Sequence, residues 1–335
     1  MIKILFFADT HLGFDHPIRP QIDRRRRGHD FFKNFNKVLN YAVDNKIDLV
    51  INGGDFFDTD NVHTEIVNLA YETVFDFAEK GIPFLIVPGN HERSVLPDSI
   101  LMRHPEIFVI DEPKTVYFQI KDADIAVSGF PYIKKTVRTE FPAVAEKLLE
   151  DRPFADINLL LMHQSIEGAT VGPQNYAFRR RVDVLDIKDI PDVFDCTLSG
   201  HIHRQQILWT EAGKPVIYPG SIERTSIAEK DEEKGFYVLS FERESEEYKL
   251  SDTNFVTLPA RPMHEIEITF STRNQSKLGD WLKAELHFLE KDTILKIKCK
   301  DPETKRLLKA EFLREVIPDT MNYTISTKYK TKNAS

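Results

Sequence analysis

The chain has 335 residues, enough for one large core or two smaller ones, and a formal net charge of −8. Apolar residues make up 41% and charged residues 29%, as in soluble globular proteins, and no apolar run approaches the ~18 residues of a membrane span. The acidic balance argues against a protein that coats nucleic acid non-specifically, although two bound divalent cations would bring the sum to −4, with all the added charge in one cleft.

Met1–Asp9 is too short, and turns acidic too soon, to be a signal peptide. Residues 2–8 read instead as a buried strand followed at once by Asp9-Thr10-His11-Leu12-Gly13. Residues 14–28 form a loop containing Arg24, Arg25, Arg26 and Arg27. Phe31, Phe32, Phe35, Val38, Leu39, Ala42 and Val43 recur at helical spacing and predict an amphipathic helix over 29–44. A strand at 47–52 runs into Gly53-Gly54-Asp55-Phe56-Phe57-Asp58. A helix at 63–80 is stopped by Gly81. A strand at 82–87 runs into Pro88-Gly89-Asn90-His91-Glu92.

A hairpin-like region (115–130) and a short helix (143–150) precede a strand at 157–162 that ends at His163. The strand at 194–199 leads into Gly200-His201-Ile202-His203. Further strands are expected at 215–218, 235–241 and 246–250. Residues 1–250 thus form the main domain. Residues 251–262, with two prolines, no glycine and no periodicity, read as a linker. Residues 263–330 read as a small βαβαβ module: strand 264–270, helix 276–289, strand 293–299, helix 302–315, strand 323–329. A polar tail, 331–335, follows. From Met263 onward, 14 Lys and Arg face 11 Asp and Glu, so this segment is mildly basic on an acidic protein. The two cysteines, Cys196 and Cys299, lie in apolar strand-like runs far apart and read as core residues of a protein in a reducing, cytoplasmic compartment.

Five strands therefore end in residues able to bind a metal: Asp9 and His11; Asp55; Asn90 and His91; His163; His201 and His203. Each alone has a plain alternative, an Asp or Asn in a turn or a hydrogen-bonded His. Their recurrence is what a site outside the carboxyl ends of the strands of a layered α/β fold requires. The i, i+2 pairs Asp9/His11 and His201/His203 share a face if the segment is extended. Nitrogen and oxygen donors without a thiolate suit manganese, iron, zinc or magnesium. Such ligands are too many for one tetrahedral ion but suffice for two that share a carboxylate, about 3.5–4 Å apart. Asp55 is the better bridge, because Asp9 pairs with His11. Two such ions acidify a trapped water and offset the charge of a phosphate, so the implied reaction is hydrolysis of a phosphate ester by direct attack of hydroxide.

Asp9-x-His11, Gly54-Asp55-x-x-Asp58, Gly89-Asn90-His91-Glu92, His163 and Gly200-His201-x-His203 resemble the five motifs of the calcineurin-like metallophosphoesterases. Gly200-His201-Ile202-His203-Arg204, Tyr218-Pro219-Gly220-Ser221-Ile222-Glu223-Arg224 and Glu232-Glu233-Lys234-Gly235 resemble the DNA-repair nuclease branch, the SbcD type, over residues 1–250. The resemblance implies a four-layered α-β-β-α sandwich with a small α+β capping domain that contacts DNA. It also implies two divalent ions, commonly manganese, with magnesium or another divalent ion as substitutes. One ion would be held by Asp9, His11, Asp55 and His203, the other by Asp55, Asn90, His163 and His201. His91 would contact the phosphate or protonate the leaving oxygen, and Asp58 would orient His91. The resemblance further implies exonuclease activity on duplex ends, endonuclease activity on single strands or hairpins, homodimerisation and a coiled-coil ATPase partner of the SbcC type, with no membrane attachment. Asp58, where many archaeal and eukaryotic members carry His, is closer to the bacterial pattern. Longer members continue beyond the position of Ser335 into helices that dock on the ATPase.

Two readings stand for Arg24 to Arg27: contacts to a nucleic-acid backbone, or a solvated loop that neutralises Asp23 and Asp30. The same holds for Arg179, Arg180 and Arg181 after Tyr176 and Phe178, where aromatic rings could stack on bases or simply be core. One face of helix 63–80 must cover the sheet, and the other is a candidate dimer contact. Two rival functions remain: a phosphodiesterase or phosphatase of the same superfamily acting on a small or protein substrate, and a DNA-end-binding scaffold.

Overall fold

The first strand, β1 (Ile2–Phe7), is apolar on both faces: Ile2, Ile4 and Phe6 enter one core, Leu5 and Phe7 another. A strand buried on both sides must lie inside a layered structure. The computed structural model describes residues 1–15, 26–97, 103–150 and 154–326. After β1 come α1 (Gly28–Asp44), β2 (Leu49–Asn52), α2 (Thr64–Ala78), β3 (Phe84–Ile86), β4 (Ile107–Val109), β5 (Lys114–Ile120), β6 (Ala123–Gly129) and α3 (Val137–Glu150). Then follow β7 (Ile157–His163), β8 (Thr170–Val171), β9 (Tyr176–Ala177), β10 (Cys196–Gly200), β11 (Gln206–Trp209), β12 (Pro215–Tyr218), β13 (Lys234–Glu244) and β14 (Glu247–Leu258). The last elements are β15 (Met263–Ile268), α4 (Gln275–Leu286), β16 (Ile294–Cys299), α5 (Pro302–Lys305), α6 (Ala310–Val316) and β17 (Asn322–Ser326).

Two six-stranded sheets form, in the orders β14-β13-β1-β2-β3-β4 and β11-β12-β10-β7-β6-β5. Their inner faces share one core, with Ile4, Phe6 and Ile51 from the first sheet against Leu159, Leu161 and Leu198 from the second. On the outer face of the first sheet lie α1 and α2, through Phe31, Phe35, Val67 and Val74. On the outer face of the second lies α3, through Val137, Phe141 and Leu148. This is the expected four-layered α-β-β-α sandwich. In the first sheet β1, β2, β3 and β4 are parallel, and in the second β6, β7, β10 and β12 are parallel. The loops after the central strands of each sheet therefore emerge at one end of that sheet.

Residues 1–14, 28–224 and 231–260 make one compact unit. Among the described residues, 15, 26–27, 225–230 and 261–326 make the second. In the second unit β15, β16 and β17 form a parallel sheet, and α4 and α6 cover it through Leu278, Leu282, Phe312 and Leu313. Both cysteines are free and buried, Cys196 between the main sheets and Cys299 in the second unit. Among the described residues no helix is long and apolar enough to cross a membrane.

Several boundaries differ from the sequence reading. Residues 251–258 are not a linker but part of β14: Ser251 sits at a bulge, and Asp252 to Leu258 pair with β13 from Ser240 to Lys234. There Phe255 packs on the inter-sheet core and Val256 on the opposite one, an alternation too short to stand out beside two prolines. The predicted helix 302–315 is two short helices, with Leu307 and Leu308 in the break between them and packed on the core of the second unit. Helix α3 starts six residues before the expected Ala143 and runs through Pro142, whose missing N–H costs one turn-closing bond. The edge and hairpin strands β4, β8, β9 and β11 were not anticipated, being two to four residues long. The expected tail 331–335 lies outside the described residues.

Leu159 is fully buried between the sheets. Leu159→Ala is expected to lower stability by about 2–5 kcal/mol. Urea unfolding should show this as a lower midpoint at unchanged slope.

Candidate metal centre

The seven candidate ligands Asp9, His11, Asp55, Asn90, His163, His201 and His203 converge, but not by the alternation of an extended strand. Asp9, His11, Asp55 and His201 all have left-handed backbone, with φ of 51°, 47°, 49° and 83°. Such conformations in residues other than glycine cost roughly 1–3 kcal/mol each and persist where the surroundings dictate them. They turn the chain sharply after β1, β2 and β10 and swing successive side chains into one pocket. The i, i+2 argument therefore chose the right residues for the wrong reason.

Backbone pairing holds these turns against one another. Asp9 N donates to Gly54 O (2.9 Å), His11 N to Asp55 O (2.9 Å) and Gly53 N to Phe7 O (2.8 Å). Glycine is needed where the loops touch the ligands. At Gly54, with φ of +96°, a Cβ would lie 2.5 Å from His163 Nδ1, and at Gly89 it would lie 2.2 Å from Asp55 Oδ1.

Two acceptor clusters result. In the first, His11 Nε2 and His203 Nε2 are 3.0 Å apart, and Asp9 Oδ1 is 3.8 Å from His203 Nε2. Two nitrogens bound at 2.0–2.1 Å to one ion at right angles would stand about 2.9 Å apart, so the spacing suits a shared cation. Asp9 Oδ1 accepts from His201 N (3.1 Å), whereas its buried Oδ2 has no hydrogen-bond partner among the described residues. An orphaned carboxylate oxygen beside two converging imidazoles is the signature of a cation site.

In the second cluster His163 Nδ1 donates to Gly53 O (2.7 Å), which leaves Nε2 to face Asn90 Oδ1 (3.0 Å) and Asp55 Oδ2 (3.3 Å). His201 Nδ1 lies 2.6 Å from the same Asn90 oxygen. Fixing one ring nitrogen on a carbonyl so that the other is presented to a metal is a standard support for a ligating histidine. Asp55, a member of the second cluster, also accepts on Oδ1 from His91 N (2.9 Å) and has Oδ2 within 3.8 Å of His91 Nε2. The residues present thus fit two ions, one at each cluster.

The electrostatics agree. Burial works against charge on His163, but Asp55, by charge and hydrogen bond, together with Asp9 and the Gly53 carbonyl, raises it to about 9. Burial likewise opposes charge on Asp55, yet His163, His11 and His91 hold its carboxyl well below the usual range. Burial raises Asp9, and burial followed by the His163 charge lowers His201 to about 3. The acceptors therefore draw one proton onto His163 in place of a cation.

Asp58 meets His91 at two points. Its backbone carbonyl, not its carboxylate, accepts from His91 Nδ1 (2.6 Å), while Oδ1 stands 3.2 Å from His11 Nδ1 and 4.0 Å from His91 Nδ1. The His91 side chain is 38% exposed, at the rim of the pocket. Glu92 closes the motif Gly89-Asn90-His91-Glu92 and had no role in the sequence reading; it is buried, Oε1 accepting from Phe57 N (2.7 Å) and Oε2 from Gly89 N (2.9 Å), which ties the loops after β2 and β3 together. Burial and then the Asp55 charge push it up to about 8. Sequence reasoning missed Asn52, which joins Thr10 Oγ1 to Gly54 N. Of the arginines, Arg24 and Arg25 lie outside the described residues. Arg26 and Arg27 belong to the second unit, where Arg26 Nη2 pairs with Asp15 Oδ1 (3.0 Å) and Arg27 Nη1 donates to Thr225 O (3.4 Å). Arg179 and Arg180 are exposed, and Arg181 pairs with Asp183 (3.0 Å).

Residues 2–205, which span all the pocket residues above, match the calcineurin-like phosphoesterase family, and the chain belongs to that family. Its curated relatives include the DNA double-strand break repair proteins Mre11 of Saccharolobus solfataricus, 25% identical over 83% of this chain and 68% of the relative, and of Methanosarcina mazei, 29% identical over 82% and 43%. The Sulfurisphaera tokodaii Mre11 is 25% identical over 65% of this chain and 53% of its own. The chain thus spans about two fifths to two thirds of the length of these relatives.

Because a metal must displace the proton on His163, divalent-ion affinity should fall with each pH unit below about 9. Calorimetry near pH 7.5 in buffers of different ionisation enthalpy should record about one proton released on loading. Glu92→Ala leaves two buried N–H groups without acceptors and is expected to cost about 2–5 kcal/mol while weakening metal binding. Thermal melts with and without manganese check both effects.

Proposed function

We propose that the chain is a manganese-dependent DNA nuclease that trims duplex ends and cuts single strands or hairpins during double-strand break processing. In this reading it works as a homodimer with a coiled-coil ATPase of the SbcC type. The observation that carries the reading is the pair of clusters Asp9–His11–His203 and Asp55–His163–His201, with a partly exposed His91 beside them. Family membership supports phosphoester hydrolysis, and the Mre11 relatives support DNA as the substrate.

Asp9, His11, Asp55 and His203 would hold one ion, and Asp55, Asn90, His163 and His201 the other. When bound, the ions supply positive charge for the phosphate and acidify water. The protein's own residues do the rest. His163 keeps its donor nitrogen on Gly53 O and presents the other to the pocket. Asn90 Oδ1 closes the second cluster. His91 donates its Nδ1–H to the Asp58 carbonyl, so Nε2 is the nitrogen turned to the pocket; in the imidazolium form its Nε2–H would contact the phosphate and pass its proton to the departing oxygen, leaving the ring neutral. In this reading the exposed Arg179 and Arg180 contact a nucleic-acid backbone.

Incubation with manganese, linear duplex DNA and bis-p-nitrophenyl phosphate tests this. Shortening of the DNA is expected, with His91→Asn lowering the rate at least 100-fold, an order set by loss of a general acid, at unchanged metal stoichiometry. Turnover of the small diester with intact DNA, in the presence and absence of the ATPase, would instead favour a phosphodiesterase of the same family acting on another substrate.

A further inference from the structure

Outside the ligand set, one ammonium in the first unit is entirely removed from solvent. Lys234, the first residue of β13, has a fully buried side chain. Its Nζ donates to the backbone carbonyl of His203 (2.8 Å) and to Glu232 Oε2 (3.2 Å). The other oxygen of Glu232 accepts from Arg204 Nε (3.0 Å). Arg204 spends its remaining nitrogens on Gly172 O (2.6 Å), Asn175 Oδ1 (2.7 Å) and Thr170 Oγ1 (3.5 Å). Ser221 N donates to the same His203 carbonyl (3.2 Å), and a Cβ on Gly220 (φ +75°) would lie 2.8 Å from that oxygen. The turn that carries His203 is thus gripped through its carbonyl from β13 and from the loop after β12, and through Arg204 from the β8–β9 hairpin.

A buried ammonium costs several kcal/mol unless it is well paired, and an apolar residue of the same volume would often serve stability as well or better. Lys234 is oriented toward one backbone oxygen, and that oxygen belongs to a candidate ligand. His163 is held through its ring by Gly53 O, whereas the turn of His203 is held through the main chain. We propose that Lys234, locked by Glu232 and Arg204, is a positioning residue for His203 and sets the affinity of the Asp9–His11–His203 cluster without affecting the Asp55–His163–His201 cluster. The proposal rests on the two-ion reading above. It also assigns Arg204 to structure, since its donors are engaged within the protein.

The test titrates Mn2+ alone into the wild-type chain, Lys234→Met and, as a reference, His203→Ala, read by calorimetry and by electron paramagnetic resonance. The wild type should take up two ions and show a spin-coupled pair. Lys234→Met should keep one ion at wild-type affinity, bind the second 10–100-fold more weakly, and give a single-ion six-line spectrum like that of His203→Ala. Two ions at wild-type affinity in Lys234→Met would overturn the proposal, as would equal weakening at both clusters, which marks general destabilisation. Fewer than two ions in the wild type would sink the two-ion reading itself, and this proposal with it. Should Lys234→Met not fold, Glu232→Gln, which keeps the side-chain shape and removes the charge, decides: selective weakening of one ion supports the proposal and none overturns it.

Discussion

The centre of this molecule is a set of close polar atoms that need a shared proton or cation among them. Asp9 Oδ2 is buried without a hydrogen-bond partner among the described residues, His163 Nε2 faces the oxygens of Asn90 and Asp55, and two imidazole nitrogens meet at 3.0 Å. No apolar packing makes that arrangement favourable. It exists because other parts of the structure enforce it. The left-handed turns at Asp9, His11, Asp55 and His201, the glycines packed against the ligands, and the buried Glu92, Asn52 and Lys234 all serve this purpose. Local strain and buried polar groups are the expected companions of a site that must be ready before its ligand arrives.

The sandwich supplies the rigidity. Asp9, Asp55, Asn90 and His91 come from loops of the first sheet; His163, His201 and His203 come from the second. Their spacing is therefore set by the inter-sheet core of Ile4, Phe6, Ile51, Leu159, Leu161 and Leu198. The site in turn ties the sheets together. His163 of the second sheet donates to Gly53 O of the first, and His201 N donates to the Asp9 carboxylate. Packing and site chemistry are thus coupled: a change that lets the sheets slide would also open the acceptor clusters.

Support for the ligands follows two patterns. Carboxylates and rings are held directly, as Asp55 is by His91 N and His163 by the Gly53 carbonyl. Loops are held by buried polar side chains acting at a distance in sequence, as Glu92 joins Phe57 to Gly89 and Lys234 reaches His203. The second pattern is the more sensitive to substitution, since removing one partner leaves a buried donor or acceptor unpaired.

The sequence by itself determined which residues meet and on what scaffold. Apolar strands ending in Asp, Asn and His, and the helical recurrence of Phe31, Phe35, Val38 and Ala42, are local patterns written within a few residues, and the layered fold and the ligand set follow from them. Only the tertiary structure decided how they meet. It assigned left-handed turns where extended geometry had been expected, and the carbonyl of Asp58 rather than its carboxylate as the support of His91. It placed residues 251–258 in a strand rather than a linker. It made Glu92 and Lys234 structural partners of loops 35 and 31 residues away. A hydrogen bond across such a separation leaves no periodicity in the chain, because its energy depends on burial and alignment that exist only once the two sheets have closed.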